Sequence, residues 1–168
     1  MSITIRKENA SDISAIYKVT EEAFKDVECS DKTEPLIVSA LRKAGVLTIS
    51  LVAEEYGSVV GHVAVSPVSI SDGTEGWYGL GPISVLPKFQ GRGVGTALIK
   101  AALSTLKEMG ALGCVVLGEP DYYRRFGYEV NSKLIFSGVP AEYFMSQSFS
   151  SGFPKGEVVY HASFYGQV

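Results

Sequence analysis

The residues that first indicate chemistry are the glycines of a short run from Gln90 to Thr96, which reads QGRGVGT. An apolar stretch that ends at Pro87 precedes this run, and apolar residues recur at helical spacing from Ala97 to Met109 after it. A glycine-rich turn between a strand and a helix directs several backbone N–H groups toward one point, where the helix dipole adds positive potential. The run therefore predicts a site for a phosphate or pyrophosphate group.

The spacing of these glycines excludes two well-known phosphate-binding motifs. Counted from Gly91, a P-loop needs a glycine and then a lysine where the chain has Thr96 and Ala97. The dinucleotide fingerprint needs a third glycine at Thr96 when counted from Gly91, or at Leu98 when counted from Gly93. The pattern that remains is Gln-x-x-Gly-x-Gly.

A second informative segment, PDYYRRFGY from Pro120 to Tyr128, follows a predicted strand over residues 113–118. The two segments together resemble motifs A and B of the GNAT N-acetyltransferase superfamily, in particular a bacterial YhbS-like subgroup. Motif A, [QR]-x-x-G-x-[GA], matches the glycine run, and motif B, L-Y-E-K-x-G-F, matches the second segment with Tyr122 at its Leu and Tyr123 at its Tyr. The resemblance covers nearly the whole chain, and two ordered motifs are far more specific than either alone.

The resemblance implies that acetyl-CoA is the cosubstrate. Motif A in this family cradles the pyrophosphate, so its backbone amides are expected to bind it, while the pantetheine lies beside the preceding strand. The expected cofactor-binding residues are Ile83, Ser84, Val85, Gln90, Gly91, Arg92, Gly93, Val94, Gly95 and Thr96.

The resemblance also implies the fold class: one α/β (α+β) domain over residues 1–168, with a mixed, mostly antiparallel central sheet and flanking helices. The sequence itself predicts helices from about Asn9 to Lys25, 34–44 and 97–109, and strands at 3–6, 47–55, 59–70, 77–86, 113–118, 134–136, 143–149 and 156–160. Pro82 interrupts the strand over residues 77–86, and a bulge resolves that conflict. In GNAT folds such a bulge splays this strand from its parallel neighbour.

Acetyl transfer to an amine requires a donor for the leaving thiolate and an acceptor for the amine proton. The resemblance places Tyr123 as the acid, with Tyr122 as the fallback. For the base we favour Glu119, which follows the strand beside the expected cleft, while Asp121, His62 or a water stay open as alternatives. A histidine in the apolar run around His62 is more often a satisfied core residue.

Composition limits the partners of the protein. The 168 residues carry a net charge of −3, which argues against a nucleic-acid binder, and no apolar run reaches the length of a membrane span. The two cysteines, Cys29 and Cys114, give no disulfide framework, and neither lies in a motif. The His and Cys spacing predicts no metal site. A cytoplasmic enzyme fits these features.

The acceptor is predicted to be a small-molecule or peptide amine that attacks acetyl-CoA directly in a ternary complex. The loop from Asp26 to Glu34 is acidic and favours a cationic amine. The alternatives are a longer acyl group, a CoA-binding domain without turnover, and a nucleotide-binding module that uses the same glycine loop. A homodimer is compatible with the sequence.

Overall fold

The computed structural model describes residues 2–166 and shows a mixed α/β fold with a large and a small sheet. The strands are β1 (Thr4–Lys7), β2 (Ile49–Glu55), β3 (Ser58–Pro67), β4 (Ser69–Ile70), β5 (Trp77–Val85), β6 (Gly113–Leu117), β7 (Leu134–Ile135), β8 (Phe144–Ser148) and β9 (Gly156–Val159). The α-helices are α1 (Ile13–Phe24), α2 (Glu34–Lys43), α3 (Val94–Glu108) and α4 (Pro120–Tyr123).

The large sheet has the strand order β1-β2-β3-β5-β6-β8. All its neighbouring strands are antiparallel except β5 and β6, which are parallel and joined through α3. This mostly antiparallel sheet with flanking helices confirms the predicted fold class. The small sheet has the order β4-β9-β7 and is built from the later part of the chain together with β4.

The predicted bulge lies in β5. Val63 of β3 pairs with Ile83 and Val65 pairs with Leu80, so a single β3 residue lies opposite both Gly81 and Pro82. A bulge is one of the few places where a sheet accepts a proline, which has no N–H to donate.

The parallel pair β5 and β6 is splayed beyond its first residues. Trp77 to Gly79 pair with residues 113–115, and the rest of β5 has no partner in β6. β6 instead continues its antiparallel pairing with β8 as far as Leu117 and Phe144. A gap therefore opens between the carboxyl-terminal halves of β5 and β6, directly before the glycine run.

Helices cover both faces of the large sheet. Apolar side chains of α3, including Leu98, Ile99 and Leu106, are completely buried against one face. Ile16 of α1 and Val38 of α2 are buried against the other face. Full burial of one such side chain contributes about 1.5–3 kcal/mol, so these contacts hold the helices in register with the strands around the gap.

Three boundaries differ from the sequence-based expectation by about three residues or more, and the others by one or two. The first helix is preceded by a separate 3-10 turn at Ala10–Asp12, so α1 begins at Ile13. The strand predicted over residues 59–70 is interrupted after Pro67, where Val68 N–H bonds the Trp77 carbonyl and β4 leaves to join the small sheet. The third helix begins at Val94, three residues before the predicted start, because Gly93 adopts the turn conformation that caps it.

Candidate active site

The glycine run forms a turn that delivers free N–H groups at the start of α3. Gly91 (φ 76°) and Gly93 (φ 84°) both adopt left-handed backbone conformations, which glycine adopts without steric cost. The first N–H inside the helix to find a helical partner is that of Ala97, which bonds the Gly93 carbonyl. The N–H groups of residues 94–96 are thus left without intrahelical partners, as expected of a helix start.

These groups border a cleft of about 530 Å³. Its wall is formed by the end of β5, the glycine run and two residues beyond β6: Val85, Phe89, Gln90, Gly91, Gly93, Val94, Gly95, Thr96, Tyr122 and Arg125. Arg92 lies beside the cleft, with its guanidinium 5.6 Å from the centre of the Phe89 ring. The structure therefore brings most of the predicted cofactor-binding residues around one cavity.

Two of these predicted residues are held by other contacts. The side-chain amide of Gln90 donates to the Val85 carbonyl at 3.0 Å, which ties the glycine turn to the end of β5. The side chain of Val94 is buried in the core, where its methyl group packs against Gly61. Val94 therefore contributes its N–H to the cleft and not its side chain.

The edge of β5 offers backbone groups to the gap. Leu86 N–H bonds the Val60 carbonyl, which places the backbone groups of every second residue, including Ser84, toward β3. The backbone groups of Ile83 and Val85 consequently point away from β3 and into the gap. The Ser84 side chain lies on the face covered by α1 and is 2% exposed.

Tyr122 and Arg125 complete the wall of the cleft opposite the glycine turn. A Cβ at Gly95 would lie 3.0 Å from the Tyr122 hydroxyl, so this glycine lets the phenol approach the first turn of α3. Arg125 stacks over the Tyr122 ring at 4.8 Å and brings a positive charge to the same wall. From the sequence, Arg125 could reach the phosphates of the cofactor, but two arginines on a short helix are most often a solvated face. Its spacing of three residues from Tyr122 places both side chains on one helix face.

Tyr123 points in another direction, toward the end of β6. Its ring packs against Gly118, where any side chain would collide with it, and its hydroxyl has no hydrogen-bond partner within residues 2–166. Burial, with a smaller contribution from Tyr122, raises the pKa of Tyr123 to about 12. The phenol is therefore protonated at neutral pH and holds its proton next to the splayed strands.

The two predicted carboxylates after β6 are at the surface. Glu119 is exposed, and its carbonyl accepts the N–H groups of Tyr122 and Tyr123 while its side chain makes no capping bond. Asp121 is also exposed and lies 3.9 Å from Arg124. Glu119 lies between β6 and α4, and its role as the base stays a prediction.

Buried titratable groups around the gap are neutral. Burial lowers the pKa of His62 to about 4 and raises the pKa of the Cys114 thiol to about 12. Cys114 bonds the Tyr128 hydroxyl at 3.1 Å and is a core residue, as the sequence predicted. Within residues 2–166, no group of His, Cys, Asp and Glu side chains is arranged to hold a metal ion, and no helix is long and apolar enough to cross a membrane.

Comparison with known proteins agrees with this geometry. Residues 4–131 match the family model described as an acetyltransferase (GNAT) domain. The chain is 37% identical to the uncharacterized N-acetyltransferase YhbS of Escherichia coli K12 over 127 residues, which are 75% of this chain and 73% of YhbS.

Two solved structures are similar over almost their full length. A GNAT family acetyltransferase from Brucella melitensis, in complex with acetyl-CoA, is 48% identical with a TM-score of 0.88, and the match covers 97% of this chain and 98% of that one. The structure of YhbS from Escherichia coli, in complex with CoA, is 30% identical with a TM-score of 0.89, covering 97% and 92%. The glycine turn, the splayed strands and these matches together show that the chain belongs to the GNAT family of acetyltransferases.

Proposed function

We propose that this protein transfers the acetyl group of acetyl-CoA to a primary amine, by direct attack of the amine in a ternary complex. The observation that carries the proposal is the row of N–H groups without intrahelical partners at the start of α3, which lies beside the gap between β5 and β6. The acetyl-CoA complex of the Brucella melitensis protein and the CoA complex of YhbS support the same cofactor here.

The residues of the cleft fit this cofactor. The N–H groups of residues 94–96 and the guanidinium of Arg125 supply donors and positive charge for a pyrophosphate. The backbone groups of Ile83 and the N–H of Val85 face the gap and suit an extended pantetheine chain that pairs with β5 as an added strand would, while the Val85 carbonyl already accepts the Gln90 amide.

Acetyl-CoA supplies a thioester carbonyl whose leaving group is a thiolate. The Tyr123 hydroxyl donates a hydrogen bond to that sulfur and stabilises the charge that develops on it. Because the pKa of Tyr123 is about 12 and that of an ordinary thiol is about 8.5, the phenol keeps most of its proton, and solvent completes protonation of the sulfur.

Direct transfer is supported by the state of the cysteines. Cys114 is buried and its raised pKa keeps it a thiol, so it is a poor nucleophile, and Cys29 is exposed in the loop between α1 and α2. In that loop Asp31 and Glu34 are hydrogen-bonded to neighbouring hydroxyls. Hydrogen bonds from neutral hydroxyls leave the negative charge in place, so the proposed preference for a cationic amine rests on all four carboxylates of the loop, Asp26, Glu28, Asp31 and Glu34. Glu119 stays the predicted base.

A thiol-release assay tests the proposal. Purified protein with acetyl-CoA should release CoA in the presence of primary amines, faster with cationic than with anionic ones, and calorimetry should show that CoA competes with acetyl-CoA while ATP does not. Tight CoA binding without turnover across the amine panel would indicate a CoA-binding domain. Displacement of CoA by ATP would contradict the cofactor assignment.

The single domain over residues 1–168, the cytoplasmic location and the homodimer stay predictions. Gel filtration with light scattering measures the last of these directly.

A further inference from the structure

A chain of polar side chains lies behind β5, on the face of the sheet covered by α1 and α2. Arg42 of α2 bonds both carboxylate oxygens of Glu8, at 2.7 and 3.1 Å. Ser50 of β2 bonds Glu8 and also lies 2.8 Å from Nε2 of His62. His62 is completely buried, whereas Glu8 and Ser50 line a separate cleft of about 390 Å³ at the sheet edge. The chain thus connects the interior to solvent.

The hydrogen bonds of this chain determine the tautomer of His62. Glu8 is ionised at neutral pH, because the hydrogen bonds from Arg42 and Ser50 outweigh burial and lower its pKa. A carboxylate only accepts, so the single hydroxyl proton of Ser50 goes to Glu8. Nε2 of His62 must then carry a proton and donate it to Ser50. Nδ1 is left with a lone pair.

That lone pair has no hydrogen-bond partner among residues 2–166. Nδ1 of His62 and the hydroxyl oxygen of Ser84 are both buried without a hydrogen bond. The two residues are direct cross-strand neighbours in β3 and β5, on the same face of the sheet, where Cβ atoms are typically about 4.5–5.5 Å apart. An unsatisfied buried polar group costs about 1–3 kcal/mol, so two adjacent ones indicate a site that a bound substrate completes.

Ser84 links this pair to the reaction site. It lies between Ile83 and Val85, whose backbone groups border the gap proposed for the thioester. An amine that attacks from the α1 face of the gap would meet the Ser84 hydroxyl first, with Nδ1 of His62 behind it.

We propose that His62 is a positioning residue that carries away the proton lost by the attacking amine, an inference that rests on the proposed function. Before attack, one N–H bond of the bound ammonium breaks and its proton replaces that of Ser84, which passes to Nδ1. The Nε2 proton passes to Ser50, and the Ser50 proton passes to Glu8 and solvent. The neutral amine then forms the C–N bond, and the second proton that it loses goes to solvent, which supplies the proton for the leaving thiolate. Between turnovers the protons move back along the same groups, from Glu8 through Ser50 and His62 to Ser84. This restores the starting tautomer of His62 and releases one proton from Ser84 to solvent in the emptied gap.

The surroundings of His62 keep its own ionisation out of the pH profile. Besides burial, the charged groups that act on its pKa are Glu8, which raises it, and Arg42, which lowers it. The buried residues of α1 are Ile16, Val19 and Thr20, and Ser84 on β5 is likewise not titratable. The pH dependence of the relay should therefore follow the ionisation of the amine substrate.

The test compares four variants, with kcat/KM for one amine followed from pH 6 to 10 and acetyl-CoA affinity measured by calorimetry. His62→Gln keeps a donor for Ser50 but removes the basic ring nitrogen, because an amide oxygen accepts a hydrogen bond without taking up a proton, and Ser50→Ala interrupts the exit. We expect both to lose roughly 10²-fold in kcat/KM at pH 7, the lower end for proton-transfer catalysis, with unchanged acetyl-CoA affinity. The loss should shrink above the pKa of the amine, because a neutral amine does not need the relay before it attacks.

Ser66→Ala is the matched control, because Ser66 of β3, like Ser84 of β5, has a buried hydroxyl without a hydrogen-bond partner in the described chain. The activity of this variant should equal that of the unmodified protein. A loss in His62→Gln that stays constant with pH would show a purely structural role and overturn the proposal. If Glu119→Gln shows the pH-dependent loss and His62→Gln does not, then Glu119 and not His62 takes the proton of the amine.

A second measurement does not depend on turnover. The ¹⁵N resonances of His62 in the free protein should show Nε2 protonated and Nδ1 bare, and the opposite tautomer would overturn the relay even in an active enzyme. If no amine is acetylated, the proposed function fails while this measurement still decides the geometry.

Discussion

Two adjacent tyrosines serve different ends of the same cleft. On the short helix α4, Tyr122 directs its hydroxyl to Gly95 at the start of α3, while Tyr123 packs its ring on Gly118 at the end of β6. The rings meet edge to face with centroids 5.1 Å apart. Under the proposed function, Tyr122 would therefore serve the phosphate end and Tyr123 the thioester end.

Replacing Tyr123 by Phe tests this division. The variant keeps the ring and its packing but removes the donor, so kcat should fall by about 10²–10³-fold, as expected for loss of a hydrogen bond to the charge that develops in the transition state. Acetyl-CoA affinity should be unchanged because the lost bond belongs to the transition state. Steady-state kinetics and calorimetry measure the two effects. Tyr122→Phe is the control, and a larger fall in kcat there than in Tyr123→Phe would reverse the assignment.

The pH profile is a second readout of the same prediction. The Tyr123 phenol is neutral below its pKa of about 12, so its donor is present throughout the usual assay range and is lost only as pH rises through that value. A high-pH limb below pH 10 should therefore be the same in the unmodified protein and in Tyr123→Phe. Disappearance of such a limb in the variant would mean that substrate binding lowers the pKa of Tyr123 considerably.

At the scale of elements, the junction of β5 and α3 carries the proposed cofactor site. The Gln90 side chain fastens the turn to Val85, and Gly93 reverses the backbone so that α3 begins with its N–H groups facing the cleft. A Cβ at Gly93 would meet no atom of the described chain within 4 Å, so it would project into open space beside these groups.

Gly93→Val should abolish acetyl-CoA binding for two reasons. A β-branched residue resists a left-handed φ, at a cost of roughly 1–3 kcal/mol, and its side chain would occupy space next to the phosphate-binding amides. Gly110→Val is the matched control, because Gly110 follows the other end of α3 with φ 83° and equally open space. Calorimetry should show lost affinity only in the first variant. Equal acetyl-CoA affinity in the two variants would show that the cofactor does not bind at this turn.

At the scale of the whole molecule, one ion-pair cluster joins β1, β2 and the first helix. Arg6 bonds both carboxylate oxygens of Asp12, at 2.8 and 3.0 Å, and Glu54 at 2.9 Å. Asp12 also accepts the N–H of Asn9 in a capping box. These hydrogen bonds, of which those from Arg6 contribute most, lower the pKa of Asp12, although burial acts to raise it.

The free energy of unfolding should depend on this carboxylate. A carboxyl group whose pKa is lower in the folded than in the unfolded state stabilises the fold. This stabilisation is complete above the unfolded pKa, near 3.8, and is lost as the pH falls through the lower pKa of the folded state. Asp12→Asn should therefore cost about 1.5–3 kcal/mol at pH 7, the range for hydrogen bonds to charged groups, and the difference should shrink below pH 4. Urea unfolding at both pH values measures it. As a control, Asp26→Asn in the exposed loop after α1 should leave the free energy of unfolding equally affected at both pH values. If Asp12→Asn lowers the free energy of unfolding by the same amount at both pH values, the carboxylate of Asp12 does not stabilise the fold in this way.

Local chemistry made the turn, the bulge and the order of the elements predictable from sequence. A left-handed φ selects glycine at Gly91 and Gly93, and a proline without an N–H must lie at a bulge or an edge, which located the irregularity at Pro82. The family resemblance then identified the helix start as the place for a pyrophosphate. Each of these features depends on a few consecutive residues.

Contacts between distant parts of the chain were decided only by the tertiary structure. Arg42 lies 34 residues from Glu8, and Ser50 lies 42 residues from it, yet both bond the same carboxylate beneath His62. The pairing of His62 with Ser84 likewise depends on the register of β3 and β5 across a bulge. A shift of one residue would send these side chains to the opposite face of the sheet. The sequence by itself therefore determined which local structures form, while strand register and helix packing decided which side chains meet.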